Sequence, residues 1–185
     1  MIHRPVRKII LGLALLAAVA GSLLAAPGLE GLSGALLAAL MLAIAVTDQR
    51  RYIIPNELTG AAVALGLFRA GVIGPDASLP AMLWAASRAA MVTVPLLLLM
   101  AGYRRWRGRD GLGLGDIKLA AVAGVWLGFV TIFAVIELAS LSALGAYAVN
   151  GFWRKRPLKA TAFLPFGLFL APAIWIGWLV EALLS

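Results

Sequence analysis

The sequence contains no cysteine and only one histidine among its 185 residues. Disulfide cross-links, thiolate zinc sites and cysteine nucleophiles are therefore excluded. The single histidine, His3, lies in the N-terminal tail, so a serine nucleophile has no histidine base within the body of the chain. Charged residues make up only 13% of the sequence. This scarcity excludes a disordered chain and an ordinary water-soluble domain, because both need far more polar surface.

Hydrophobic residues are abundant instead, at 63% of the chain, and the mean hydropathy is +0.98. The 16 lysines and arginines outnumber the eight acidic residues and give a net charge of +8. In so apolar a chain this excess favours anionic membrane lipids, and not nucleic acid, as the charged partner. The composition predicts an integral membrane protein.

Seven apolar segments indicate the membrane spans: 9–26, 32–47, 58–73, 79–102, 117–128, 129–150 and 162–184. They do not alternate between apolar and polar residues, which excludes the strands of a barrel. The continuous segment 117–150 is too long for one straight span, so we expect a break near Gly128. The fold class is therefore an all-α, polytopic integral membrane protein with about seven transmembrane helices.

Basic residues predict the orientation of these spans. Seven spans place four basic clusters on one side of the membrane, which should be the cytoplasm; they lie at residues 4–8, 50–51, 104–109 and 154–159. The N-terminus is then cytoplasmic. The basic start and first span also resemble a cleaved signal peptide, but the long apolar run favours a retained helix.

Two aspartates occupy positions where lipid disfavours charge. Asp48 ends the second span and Asp116 begins the fifth, so both lie at the same depth near the cytoplasmic surface. Two adjacent carboxyl groups that share a proton can activate water and protonate a carbonyl. The helix dipoles predict that Asp48 holds the proton and Asp116 is the base. Alternatively, Asp116 is a helix N-cap and Asp48 pairs with Arg51.

The other charged residues considered are expected to have structural roles or to be solvated. Arg88 and Glu137 lie at similar depths in the fourth and sixth spans, which predicts a buried ion pair. We expect Glu30, Asp76 and Glu181, near the outer surface or the C-terminus, to be solvated. The segment 103–113 is rich in arginine and glycine and predicts a mobile cytoplasmic loop.

Three segments resemble the type IV prepilin peptidases, also called GxGD aspartic membrane proteases. Asp48 with Pro55 and Asn56 matches the family's D-x-R…IPN pattern; residues 113–119, GLGDIKL, match its G-x-G-D-x-K-L signature; and residues 164–170, LPFGLFL, match its late PFGPFL segment. Leu168 replaces a proline of that last segment. Together, in this order, the three matches are specific, and they cover about residues 40–171.

The resemblance implies a membrane aspartic endopeptidase that cleaves the basic leader of prepilins or pseudopilins at the cytoplasmic face. It implies that Asp48 and Asp116 are catalytic, with no metal and no cofactor. Supporting or substrate-binding roles then fall on Pro55, Asn56, Gly113, Gly115, Lys118, Pro165, Phe166 and Gly167. On a helix, Lys118 should point away from Asp116, toward lipid headgroups or an acidic substrate residue.

Many members of the family carry a cysteine-containing methyltransferase domain. From the resemblance we expect this domain to be missing here. We therefore expect one transmembrane peptidase domain over residues 1–185, with residues 1–30 as an extra N-terminal helix and 31–185 as the family-like core. The cytoplasmic (inner) membrane is the expected location. The alternative is a small transporter or proton-handling protein, whose acids should lie near the midplane of the membrane.

Overall fold

The computed structural model describes residues 4–108, 113–153 and 165–185. Seven α-helices and one π-helical segment account for nearly all of them, and no strand occurs within these ranges. The helices are α1 (Arg4–Ala25), α2 (Gly28–Arg51), α3 (Asn56–Phe68), α4 (Leu79–Arg107), α5 (Leu114–Trp126), α6 (Phe129–Trp153) and α7 (Gly167–Leu184). The π-helical segment, Arg69–Ile73, continues α3. The predicted all-α class is confirmed.

The chain is a multi-pass membrane protein whose helices differ in length. Five helices are long and apolar enough to cross a membrane, namely α1, α2, α4, α6 and α7. The helices α3 and α5 have 13 residues each. At that length each is about 20 Å long, shorter than the roughly 30 Å hydrocarbon core. Since α5 packs against α3, α4 and α7, it forms a short helix inside the bundle.

Hydropathy located the helices better than it located their ends. The predicted break near Gly128 is confirmed, because α5 ends at Trp126 and α6 begins at Phe129. The predicted loop over 103–113 is wrong in its first part, since α4 continues through Arg107 and closes at Gly108 with φ +67°. Arginine has a high helix propensity, and the backbone hydrogen bonds of a helix also form outside the lipid. Helix α4 can therefore extend beyond the apolar segment. Residues 109–112 lie outside the described ranges.

Two tryptophans join the centre of the bundle. Trp126 of α5 and Trp178 of α7 meet edge to face, with ring centroids 6.5 Å apart. The Trp126 indole donates to the Ala62 carbonyl of α3 over 2.9 Å. On the other side, a Cβ on Gly34 of α2 would lie 1.8 Å from the Trp178 ring. The small residue therefore allows α2 and α7 to pack closely, as is typical of membrane helices.

The first helix is part of the same bundle. It packs against α2 and α7, and the Trp175 indole donates to the Ser22 hydroxyl over 3.0 Å. The division of the chain into residues 1–30 and a core of 31–185 stays a prediction.

The bundle has two chemically different ends. The aspartate end holds Asp48, in the last turn of α2, and Asp116, in the first turn of α5. Among the described residues, five exposed arginines lie at the same end; they are Arg50, Arg51, Arg104, Arg105 and Arg107. The arginine end, named for Arg69 and Arg88, lies where α5 and α7 finish. Two of the four basic clusters used to predict orientation, 50–51 and 104–109, therefore have their described arginines at one end, and the cluster at 154–159 lies outside the described residues.

The predicted Arg88–Glu137 pair is wrong. Arg88 donates to the carbonyls of Gly124 and Val125 at the end of α5. Glu137 is exposed on α6, which hardly touches α4 within the described residues. The sequence predicted similar membrane depths for the two side chains. It did not predict that they point in different directions around their helix axes.

Two of the acids expected to be solvated also have protein partners. Glu30 forms an ion pair with Arg69, and the two side chains are only 16% and 21% exposed. Glu181 accepts a hydrogen bond from the Gly128 backbone N–H over 2.8 Å. Asp76 is exposed, as expected. Because α3 and α5 are short, Arg69 lies within reach of Glu30 and the Gly128 N–H lies within reach of Glu181. The hydropathy pattern did not predict these contacts.

Candidate active site

Asp48 is buried at the aspartate end, with a relative exposure of 5%. Its own carbonyl accepts the N–H of Tyr52 over 2.8 Å and so closes α2. Tyr52 has φ +54°, a left-handed conformation that is unfavourable for a residue with a bulky side chain. This turn reverses the chain so that Ile54 returns beside Asp48, and α3 begins at Asn56, after Pro55 at its N-cap position.

Asp116 lies in the first turn of α5, and Gly113 occupies the N-cap position. No side chain caps this helix, so the interpretation of Asp116 as an N-cap is wrong. The alternative pairing of Asp48 with Arg51 is also wrong, because the only ion pair among the described residues joins Arg69 and Glu30. The structural explanations considered for the two aspartates therefore do not apply.

Both aspartates line one cavity of about 330 Å³. The Asp48 charge acts on the Asp116 carboxyl group across this cavity. The remaining lining residues come from the α2–α3 turn, the start of α5 and the segment before α7; they are Tyr52, Ile53, Ile54, Gly113, Leu114, Gly115, Lys118, Pro165 and Phe166. The fold thus brings seven of the ten predicted site residues onto one surface.

The start of α7 contacts Asp48 directly. The backbone N–H of Leu168 donates to Asp48 Oδ2 over 3.1 Å. A Cβ on Gly167 would lie only 2.9 Å from the same oxygen, so the approach depends on glycine. Because a helix N-terminus favours negative charge, this contact stabilises an ionised Asp48. The expectation that Asp48 holds the proton considered only its own helix, whereas the start of α7 favours the opposite assignment.

Ile54 packs between the start of α5, which carries Asp116, and the start of α7, which contacts Asp48. Its side chain is 7% exposed and lies between the first turns of α5 and α7. A Cβ on Gly115 or on Gly167 would come within 2.8 Å of Ile54 Cδ1. The two glycines therefore allow both helix starts to close on one isoleucine. Sequence reasoning did not select Ile54; the glycines were a signal of close contact, but not of the residue contacted.

Lys118 and Asn56 form the rim of the cavity. The Lys118 ammonium donates to the Asn56 side-chain oxygen at the start of α3. We expected Lys118 to point away from Asp116, but its long side chain lines the same cavity and reaches Asn56 across the rim. Pro55 caps the start of α3 and is not on the lining. Tyr52, Ile53 and Leu114 are lining residues that sequence reasoning did not select.

The cavity offers two carboxyl groups as its acidic ligands. Within the described ranges, no three histidine, cysteine or acidic side chains lie close enough together to hold a metal ion. The chemistry that these residues support is the activation of water by a carboxylate beside a second carboxyl group.

The profile of the type IV leader peptidase family matches residues 35–149, a range that includes both aspartates. The chain belongs to this family. A prepilin leader peptidase/N-methyltransferase of Aeromonas hydrophila is 32% identical over 162 residues, which are 88% of this chain and 54% of that protein. Leader peptidase HopD of Escherichia coli is 33% identical over 145 residues, 77% of this chain and 90% of that protein.

A prepilin leader peptidase/N-methyltransferase of Burkholderia pseudomallei is 34% identical over 148 residues, which are 77% of this chain and 46% of that protein. The chain thus spans about half the length of the peptidase/N-methyltransferases that it resembles. No solved structure matches it significantly.

Proposed function

We propose that the chain is a membrane aspartic endopeptidase that removes the basic leader from prepilin-like proteins. The observation that carries this proposal is the shared cavity of Asp48 and Asp116 at one end of the bundle. Membership of the type IV leader peptidase family supports it. The relatives named prepilin leader peptidases provide the substrate class.

In the proposed reaction Asp48 is the ionised base and Asp116 the protonated acid. Asp48 takes one proton from a water molecule whose oxygen attacks the scissile carbonyl carbon, while Asp116 gives its proton to the carbonyl oxygen. The resulting gem-diol then collapses. The proton on Asp48 passes to the leaving nitrogen, the C–N bond breaks, and a hydroxyl proton returns to Asp116, which restores the starting state. The Leu168 N–H holds the Asp48 carboxylate in place throughout.

The walls of the cavity suit an extended peptide. Gly113 has no side chain beside the Asp116 carboxyl group, where a Cβ would lie 3.1 Å from Oδ2, so a substrate backbone can approach that carboxyl group. Pro165 and Phe166 form the facing wall, beside the start of α7. The hydrophobic helix that follows a prepilin leader would lie in lipid against the bundle, with its scissile bond at the cavity. Lys118, on the rim, is placed to meet an acidic residue of such a substrate.

The aspartate end is proposed to face the cytoplasm, and the membrane to be the cytoplasmic (inner) membrane. The five exposed arginines at this end support that orientation, because basic residues are retained on the cytoplasmic side. Anionic headgroups would then surround the same arginines. The transporter alternative is less favoured, since both acids lie in terminal helix turns and not in the middle of a span.

Cleavage of a prepilin by the full chain in proteoliposomes tests this function. We expect the wild type to release the leader peptide and the Asp116→Asn variant to release less than about a thousandth as much. Glu57→Gln is the matched control, since this exposed acid lies at the same end of the bundle but off the cavity. Normal cleavage by Asp116→Asn, or no cleavage by the wild type, would contradict the proposal.

A further inference from the structure

A second polar cavity, of about 420 Å³, lies at the arginine end. It arises because α5 stops at Trp126 and leaves the bundle open beyond its last turn. The guanidinium groups of Arg69 and Arg88 and the carboxyl groups of Asp76 and Glu181 line it. Charged side chains are costly among membrane helices and usually mark a function. The π-helical segment that begins at Arg69 also indicates a functional site, since such segments often occur at functional sites.

The two arginines keep unused donors. Arg88 Nε donates to the Gly124 carbonyl over 2.7 Å and Nη2 to the Val125 carbonyl over 3.2 Å. Arg69 Nε donates to Glu30, and its guanidinium lies 5.5 Å from the centre of the Trp126 ring. Both side chains are thus fixed by contacts that leave terminal guanidinium nitrogens without a protein partner in the described ranges. A planar pair of such donors suits a phosphate.

The acids make a simple anion an unsuitable occupant. Glu181 is held by the Gly128 N–H over 2.8 Å, and Asp76 is exposed in the turn before α4. A bound anion would meet two carboxylates as well as two guanidinium groups. A zwitterion with a phosphate and a primary ammonium group complements both signs at once, because the ammonium can donate to the carboxylates.

We propose that this cavity binds the headgroup of phosphatidylethanolamine. The phosphate would lie on Arg69 and Arg88, and the ammonium on Asp76 and Glu181. The neighbouring outer surface of α4 suits acyl chains, since Leu83 and Trp84 are 58% and 54% exposed there. In the proposed orientation the lipid belongs to the outer leaflet. This site is independent of the aspartate cavity and of the peptidase function.

Native mass spectrometry of the full chain tests the proposal. The protein is given equal amounts of phosphatidylethanolamine, phosphatidylcholine and phosphatidylglycerol with identical acyl chains. We expect about tenfold stronger retention of phosphatidylethanolamine, because the choline headgroup lacks N–H donors and the glycerol headgroup lacks a cation. Equal retention of the three lipids, or a preference for phosphatidylglycerol, would overturn the proposal.

Separate variants test the proposed phosphate contact and the proposed ammonium contact. Arg88→Gln should lower phosphatidylethanolamine retention about tenfold, whereas Arg105→Gln, an exposed arginine at the aspartate end, should not. Asp76→Asn should remove the preference over phosphatidylcholine and leave phosphate-dependent retention in place. If Arg88→Gln does not fold, Asp76→Asn decides alone, since its exposed side chain supports no core contact. An unchanged preference in Asp76→Asn would contradict the proposed ammonium site.

Soluble headgroups distinguish a lipid site from a simple anion site. Phosphoethanolamine should displace bound phosphatidylethanolamine at lower concentration than inorganic phosphate does. Equal competition by the two compounds would show an anion site and overturn the zwitterionic assignment.

Discussion

The Gly167→Ala variant tests the contact between α7 and Asp48. The added Cβ would lie 2.9 Å from Asp48 Oδ2 and 2.8 Å from Ile54 Cδ1, whereas ordinary contacts begin near 3.4 Å. Relief requires the carboxylate to retreat by about 0.5 Å. The Leu168 N–H bond to Asp48, now 3.1 Å, would then exceed the usual limit for a hydrogen bond.

The size of the effect follows from the bond that is lost. A hydrogen bond to a charged group contributes about 1.5–3 kcal/mol. If it is lost from the reacting state, prepilin cleavage should slow by roughly 10- to 150-fold. Because the change acts on the carboxylate and not on the substrate, kcat should fall while KM changes little.

The assay is leader release in proteoliposomes under single-turnover and steady-state conditions, with thermal unfolding measured in parallel. Gly60→Ala is the matched control, since a Cβ at this exposed position in α3 meets nothing within 4 Å. It should cleave at the wild-type rate. A Gly167→Ala variant that cleaves within about threefold of wild type would refute the proposed role of the α7 N-terminus.

Three further variants test individual contacts within the bundle. Ile54→Ala should lower kcat and reduce stability by about 2–5 kcal/mol in an unfolding assay, whereas lost stability with unchanged kcat would contradict its positioning role. Gly34→Ala forces a Cβ to within 1.8 Å of Trp178, so the unfolding temperature should fall; an unchanged temperature would contradict the α2–α7 contact. Arg69→Gln leaves Glu30 without its ion partner and should cost about 3–5 kcal/mol, whereas Arg69→Gln with Glu30→Gln should recover part of it.

The sequence was sufficient to predict the features that vary along the membrane normal. The shared depth of Asp48 and Asp116 followed from hydropathy and from the basic residues, because both report how far each position lies from the membrane surface. The break between α5 and α6 followed from length alone, since the apolar segment there exceeded one span.

Features that depend on direction around a helix were not predictable in this way. Arg88 matched Glu137 in depth, yet it faces the carbonyls at the end of α5. The proton assignment to Asp48 lacked information of the same kind, because the start of α7 reaches Asp48 from a distant part of the chain. Ile54, the isoleucine of the IPN pattern, was not selected as a site residue, since the sequence does not show that two distant glycines pack against it.

Cleavage by Asp48→Asn, Asp116→Asn and the double variant tests most directly whether the two carboxyl groups act as one unit. All three proteins are measured in single-turnover leader release, with folding checked by thermal unfolding. We predict that either single variant loses nearly all activity and that the double variant loses no more, because groups that act together are not additive. Losses that multiply in the double variant, or a single variant with wild-type cleavage, would contradict the central claim.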